Sequence, residues 1–170
     1  MAASLSACCL LAACSPALDW REVRPEGSGV TLLLPCRPLQ LDRVVRLGEA
    51  SLPMRLHSCT ASEATFSIVF ADAGTAALAD ALLPAMRGAA IANVAGAAMP
   101  LPLPAIDGAT PSAQSGLLRI VGRLPDGRPV VEHAAFFVRG SWLYQAAVVS
   151  AGEPVGPQAI EDFFRAIRVR

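Results

Sequence analysis

Hydrophobic and polar positions alternate along most of the chain beyond residue 29, which predicts a fold rich in β-structure. In 65–70, Phe66, Ile68 and Phe70 occupy alternate positions and would share the buried face of one strand. Similar stretches predict strands at 30–34, 43–47, 54–60, 117–123, 129–139 and 142–149. We expect the four strands before residue 71 to form an antiparallel meander, with 30–34 near 54–60. Gly140-Ser141 would join the last two strands as a hairpin.

Two stretches follow the helical period instead. Apolar residues recur every four positions in 76–94, and Pro84 inside this stretch predicts a kink or a restart of the helix. A second helix is predicted to open with Pro157, because proline suits the first helical turn. The apolar positions are Leu78, Leu82, Met86, Ala90 and Val94 in the first helix and Ile160, Phe163, Phe164 and Ile167 in the second. Both apolar sides are expected to pack on the sheet.

Four prolines within 99–111 exclude a helix or a central strand there and predict a stiff, extended connecting loop. The fold class that follows is α+β: a single domain at 30–170, built on a twisted antiparallel sheet of six to seven strands covered by two helices.

The N-terminal segment Leu11-Ala12-Ala13-Cys14 has the form of a bacterial lipobox, with two small residues before the cysteine. This motif predicts a signal peptide at 1–13, a lipid on Cys14 and a tether at 14–29 in which Trp20 docks on the domain. Residues 1–13 contain no Lys or Arg and their apolar stretch is short, so a basic region could precede this start. The alternative is an ordinary N-terminal helix start rich in Ala and Cys.

Lipidation of Cys14 would leave Cys36 and Cys59 as the remaining cysteines of the mature chain. An even number of thiols in an oxidising compartment favours a Cys36–Cys59 disulfide. The alternative is a pair of free, buried cysteines that behave as small hydrophobic residues.

Composition limits the classes of partner. The chain has 14 basic and 14 acidic residues, so no net field attracts a nucleic acid, and we expect none as a partner. No uninterrupted apolar stretch reaches the roughly 18 residues that a spanning helix needs.

Candidate catalytic residues are few. His57 and His133 are the only histidines, and Ser141 lies in a predicted turn without the Gly-x-Ser-x-Gly motif of a nucleophile elbow. Cys36 and Cys59 with the two histidines provide suitable ligand types for zinc but lack paired metal-ligand spacing. We therefore predict no catalytic residues, no metal, no cofactor and no enzymatic activity.

The order of elements resembles a known group. A strand ends in Pro35-x-x-Pro38, a meander and helix follow, a later strand pair contains Gly140-x-x-x-Tyr144, and Phe163-Phe164 lies in the terminal helix. This arrangement is similar to the PsbP-like and DcrB-like group, which includes small secreted proteins and bacterial lipoproteins. The resemblance implies an α/β/α sandwich and a non-enzymatic binding or assembly role, with no catalytic residues. The paired cysteines and the proline-rich loop depart from the group.

The expected function is that of an envelope lipoprotein, anchored by its lipid to the periplasmic face of the outer membrane of a Gram-negative bacterium. Ser15 after Cys14, rather than Asp, resembles the signal for outer-membrane sorting. The expected partners are the membrane and another envelope protein. The alternative function, suggested by the aromatic hairpin at 129–149 and the alanine-rich helix at 76–94, is a carrier that holds a small apolar ligand between sheet and helix.

Overall fold

The computed structural model describes residues 18–151 and 155–170. The strands are β1 (Arg21–Val23), β2 (Val30–Leu34), β3 (Leu39–Leu47), β4 (Ala50–Ala61), β5 (Ala64–Asp72), β6 (Ala97–Leu101), β7 (Gly116–Arg123), β8 (Pro129–Arg139), β9 (Trp142–Ser150) and β10 (Arg168–Val169). The helices are α1 (Ala76–Asn93) and α2 (Pro157–Arg165). The predicted α+β class, the two helices and the strand-rich composition are confirmed.

The main sheet is antiparallel and has seven strands in the order β3-β4-β5-β9-β8-β7-β6. Helix α1 packs on one face, where Leu82, Leu83 and Met86 contact inward residues of β8 and β9. The opposite face carries a second core that includes Phe163 and Phe164 of α2. The domain therefore has three layers with the seven-stranded sheet in the middle.

The predicted four-stranded meander is wrong in one strand. Strand β2 pairs with β1 and β10 in a separate three-stranded sheet, and only β3, β4 and β5 form the meander. The side chains of Val30, Leu32 and Leu34 are at most 2% exposed because they face the core on the α2 side of the main sheet. Strand β2 thus covers a face of that sheet rather than extending its edge.

The folded domain begins before residue 30. Trp20 packs edge-to-face on Phe66 with ring centroids 5.6 Å apart, as expected for a docking residue. Strand β1 follows directly and pairs with β2, and Ser28 is 1% exposed. The predicted tether, 14–29, is therefore too long at its C-terminal end, and Cys14 lies outside the described residues.

Helix α1 is continuous through Pro84, so the alternative of a restart there is wrong. The side chain of Pro84 is on the exposed side of the helix. At the N-terminus, the Thr75 hydroxyl accepts a hydrogen bond from the backbone N–H of Leu78 and caps the helix.

Candidate ligand-binding groove

An apolar groove opens on the α2 face of the domain, between the proline-rich loop and α2. One wall is the segment from Leu101 to Pro104, which leaves the sheet at the end of edge strand β6. The prolines keep this segment extended and remove N–H groups that would otherwise need partners. The wall thus presents mainly hydrocarbon to the groove.

The loop that forms this wall is fastened beyond the groove. The backbone N–H of Val169 donates to the carbonyl of Asp107 at 2.8 Å, and Thr110 N–H donates to the carbonyl of Val138 at 2.8 Å. Gly108, at φ +79°, lies so close to Val169 that a Cβ atom would be 1.9 Å from the Val169 carbonyl oxygen. Only glycine fits this contact, so the wall has a fixed position relative to β10.

The floor and the second wall come from the sheet and from α2. Leu117 of β7 lies in the floor, directly opposite Leu101 in the β6–β7 ladder. Ile160 and Phe164, one turn apart on α2, supply the apolar part of the second wall. Phe164 is 2% exposed and also belongs to the core, so core packing holds this wall in place.

Polar groups line the groove at two places. His133 of β8 lies in the lining, and Arg165 and Glu161 of α2 form an ion pair at 2.5 Å. Partial burial, and then the charge of Arg119 directly opposite on β7, lower the pKa of His133 below its ordinary value. The lowered pKa favours the neutral imidazole, which offers one donor and one acceptor.

The groove has a volume of about 460 Å³, within the range of roughly 300–1,000 Å³ typical of small-molecule sites. Its lining is mainly aliphatic and proline, with one neutral histidine and a charged pair. This arrangement suits a small apolar molecule with a neutral polar group, and none of the described lining residues is a serine, threonine or cysteine.

The space between the sheet and α1 is filled instead. Phe136, Leu143 and the α1 side chains form a continuous buried cluster on that face. This cluster occupies the space beside the alanine-rich helix that suggested a ligand site in the sequence, and the groove lies on the α2 face instead. No sequence pattern indicated the groove, because its walls come from segments more than 50 residues apart that meet only in the folded chain.

The two predicted bridging cysteines are bonded to each other, with their Cα atoms 5.8 Å apart. Cys36 follows β2 and Cys59 lies in β4, so the disulfide joins the small sheet to the main one. His57, on the neighbouring part of β4, stacks on Phe70 with ring centroids 5.9 Å apart.

A buried carboxyl group escaped the sequence analysis. Glu132 of β8 is 5% exposed on the α1 face, and its Oε1 accepts a hydrogen bond from Gln145 Nε2 at 3.2 Å. Burial raises the pKa of Glu132 to about 7, although the hydrogen bond from Gln145 favours the charged form. The pattern that could have identified it is Val130, Glu132 and Ala134 at alternate positions, with one acid on an otherwise apolar face.

Comparison with known proteins adds no relationship: no family model matches this chain, and no curated protein matches it. Among residues 18–151 and 155–170, no helix is both long enough and apolar enough to cross a membrane.

Proposed function

We propose that this protein is a non-catalytic binding domain of an exported lipoprotein, and that its groove holds a small apolar ligand with one neutral polar group. The observation that carries the proposal is the groove itself: about 460 Å³, lined mainly by apolar side chains, with a neutral His133 in the lining. Of the two functions expected from the sequence, this geometry favours the carrier.

Export is supported by the Cys36–Cys59 disulfide, because such bonds persist in oxidising compartments. Attachment to a membrane rests on the lipobox ending at Cys14, and its location at the outer membrane rests on Ser15 in the next position. The PsbP-like and DcrB-like resemblance and a second envelope protein as partner stay predictions.

Ligand binding can be measured with 1-pyrenemethanol, a fluorescent pyrene probe that carries one neutral hydroxyl group. Ile160→Trp places a large ring in the groove, so we expect binding of this probe to weaken at least tenfold, equivalent to about 1.4 kcal/mol. Leu78→Trp is the matched control, since Leu78 is a partly exposed helical residue on α1 and lies away from the groove. Equal binding by the two variants, or no binding by the unmodified protein, would refute the carrier function.

The anchor can be tested separately with radioactive palmitate in growing cells. The protein should take up label and Cys14→Ala should not. Equal label in both would exclude Cys14 as the lipid attachment site and leave the groove untouched.

A further inference from the structure

The two edges of the main sheet differ in how they are protected from pairing with another strand. Edge strand β6 has five residues and contains Pro100, which cannot donate to a ladder. Edge strand β3 has nine residues and no proline, and no described element pairs with its outer side. Unprotected edges of this length are templates for strand addition.

Strand β3 also exposes hydrophobic side chains. Leu39 and Val44 are 77% and 75% exposed, and Leu41 is 44% exposed. These three account for half of the six large exposed hydrophobic residues in the described part of the chain. Antiparallel pairing centred on β3 would cover Leu41 and Val44.

The outer backbone groups of β3 can be assigned from its inner partner. Val44 lies opposite Pro53 in the β3–β4 ladder. Proline has no N–H, so this pair occupies a non-hydrogen-bonded position, and the N–H and C=O of Val44 point to the open edge. Asp42 and Arg46, two residues away on either side, share this orientation.

A second copy of β3 is complementary to the first in one register. A twofold axis perpendicular to the sheet relates two antiparallel copies of β3 and leaves every side chain on its own face of the sheet. Residues directly opposite each other must share a face, so their numbers are both even or both odd. One residue of β3 therefore lies opposite its own copy, at the axis. With the axis at Val44, Asp42 of each copy lies opposite Arg46 of the other. An axis at Arg43 opposes two arginines, and an axis at Val45 leaves Asp42 opposite Gly48.

We propose that β3 is a homodimer interface in which two copies of the chain pair antiparallel about Val44, joining their main sheets into one. Two cross-strand ion pairs between Asp42 and Arg46 fix the register. Anchoring of both copies to one membrane would raise their effective concentration and favour pairing.

Charge exchange tests the register directly. In the full chain with Cys8, Cys9 and Cys14 replaced by serine, analytical ultracentrifugation should show a concentration-dependent dimer. Asp42→Arg or Arg46→Asp alone places like charges opposite each other, and each should weaken dimerisation roughly ten- to a hundredfold. The double variant D42R/R46D restores opposite charges and should dimerise like the unmodified chain. A mixture of the two single variants should form heterodimers for the same reason.

Crosslinking supplies a geometric test in the same background. Two copies of Val44→Cys would have Cα atoms about 5.5 Å apart, so a short thiol crosslinker should join them efficiently. Leu39→Cys is the matched control because Leu39 is equally exposed on the same strand. In this register two copies of Leu39 lie roughly 33 Å apart and should not crosslink.

A monomer at every concentration would overturn the proposal. A dimer that is indifferent to the charge exchange, or that crosslinks equally through residues 39 and 44, would overturn it as well. So would pairing of β3 with a different envelope protein in place of a second copy.

Discussion

Replacing Glu132 with glutamine should stabilise the protein at alkaline pH and remove a defined part of its pH dependence. Glu132 lies on the α1 face of β8, where it is 5% exposed above the small Ala134–Ala147 pair. Among residues 18–151 and 155–170, the hydrogen-bond donor to its carboxyl group is the side-chain amide of Gln145, and no ion pair involves Glu132. A charged carboxylate at this position therefore lacks a cation to offset its loss of water.

The magnitude follows from the pKa of Glu132, which is about 7 in the folded protein against 4.5 for an unperturbed glutamate. A pKa difference of one corresponds to about 1.4 kcal/mol. Ionising Glu132 in the folded state therefore costs on the order of 3 kcal/mol of stability.

The sign is set by proton uptake. Between pH 4.5 and about 7 the folded protein retains a proton on Glu132 that the unfolded chain has released. The contribution of Glu132 to the free energy of unfolding is thus fully present below pH 4.5 and is lost as pH rises through about 7. His57 and His133 act in the opposite direction, since their pKa values are lowered and stability rises with pH as they lose their protons.

Urea unfolding followed by circular dichroism, at pH values from about 4.5 to about 8.5, measures the effect. The useful quantity is the difference between Glu132→Gln and the unmodified protein, because the two histidines contribute equally to both. This difference should increase with pH, by on the order of 3 kcal/mol in favour of the glutamine variant. Glu49→Gln, at a side chain 98% exposed, should show no such trend. A difference that is flat with pH, or that falls, would refute the assignment of Glu132 as a buried, easily protonated acid.

Two further predictions concern the link between the small sheet and the main one. The Cys36–Cys59 bond spans 23 residues, and its reduction should lower the free energy of unfolding by about 3.4 kcal/mol in the chain-entropy model. Urea unfolding with and without reductant measures this loss. A loss below about 1 kcal/mol would contradict the prediction. Tyr144→Phe removes the hydroxyl that donates to the carbonyl of Ser28 at 2.7 Å in the core. We expect the free energy of unfolding to fall by about 1–3 kcal/mol, because the Ser28 carbonyl is left unpaired. Phe137→Leu is the comparison variant, since it keeps this hydrogen bond. An unchanged urea midpoint for Tyr144→Phe would show that the bond contributes nothing.

Local patterns predicted most elements because they depend on neighbours in the chain. The alternation of Phe66, Ile68 and Phe70 is confirmed as the buried face of β5, and all three are at most 1% exposed. The Gly140-Ser141 hairpin is confirmed by the β8–β9 register, in which Arg139 lies opposite Trp142. A tight turn of this kind is fixed by a few residues at the turn itself.

The extent of helix α1 was predicted correctly, but the residues expected on its buried side were partly wrong. Four residues of an α-helix rotate by about 400°, so residues spaced four apart shift around the helix by about 40° at each step. Leu78, at the start of the stripe, is consequently rotated out to 39% exposure, and Ala79 and Leu83 are buried in its place. Which residues of α1 are buried thus depends on how the helix is oriented on the sheet, which is a tertiary property.

The sequence by itself determined the element types, the α+β class and the cysteine pair, because periodicity, turn residues and an even number of thiols are local or countable properties. Tertiary structure alone decided that β2 leaves the meander, that Glu132 is buried, and that the segment at 101–104 and α2 enclose a groove. These features depend on which surfaces meet, and burial of the most apolar area selects among pairings that the strand patterns allow equally. The groove and the open edge of β3 are therefore properties of the folded chain, whereas the lipobox ending at Cys14 is a property of the sequence.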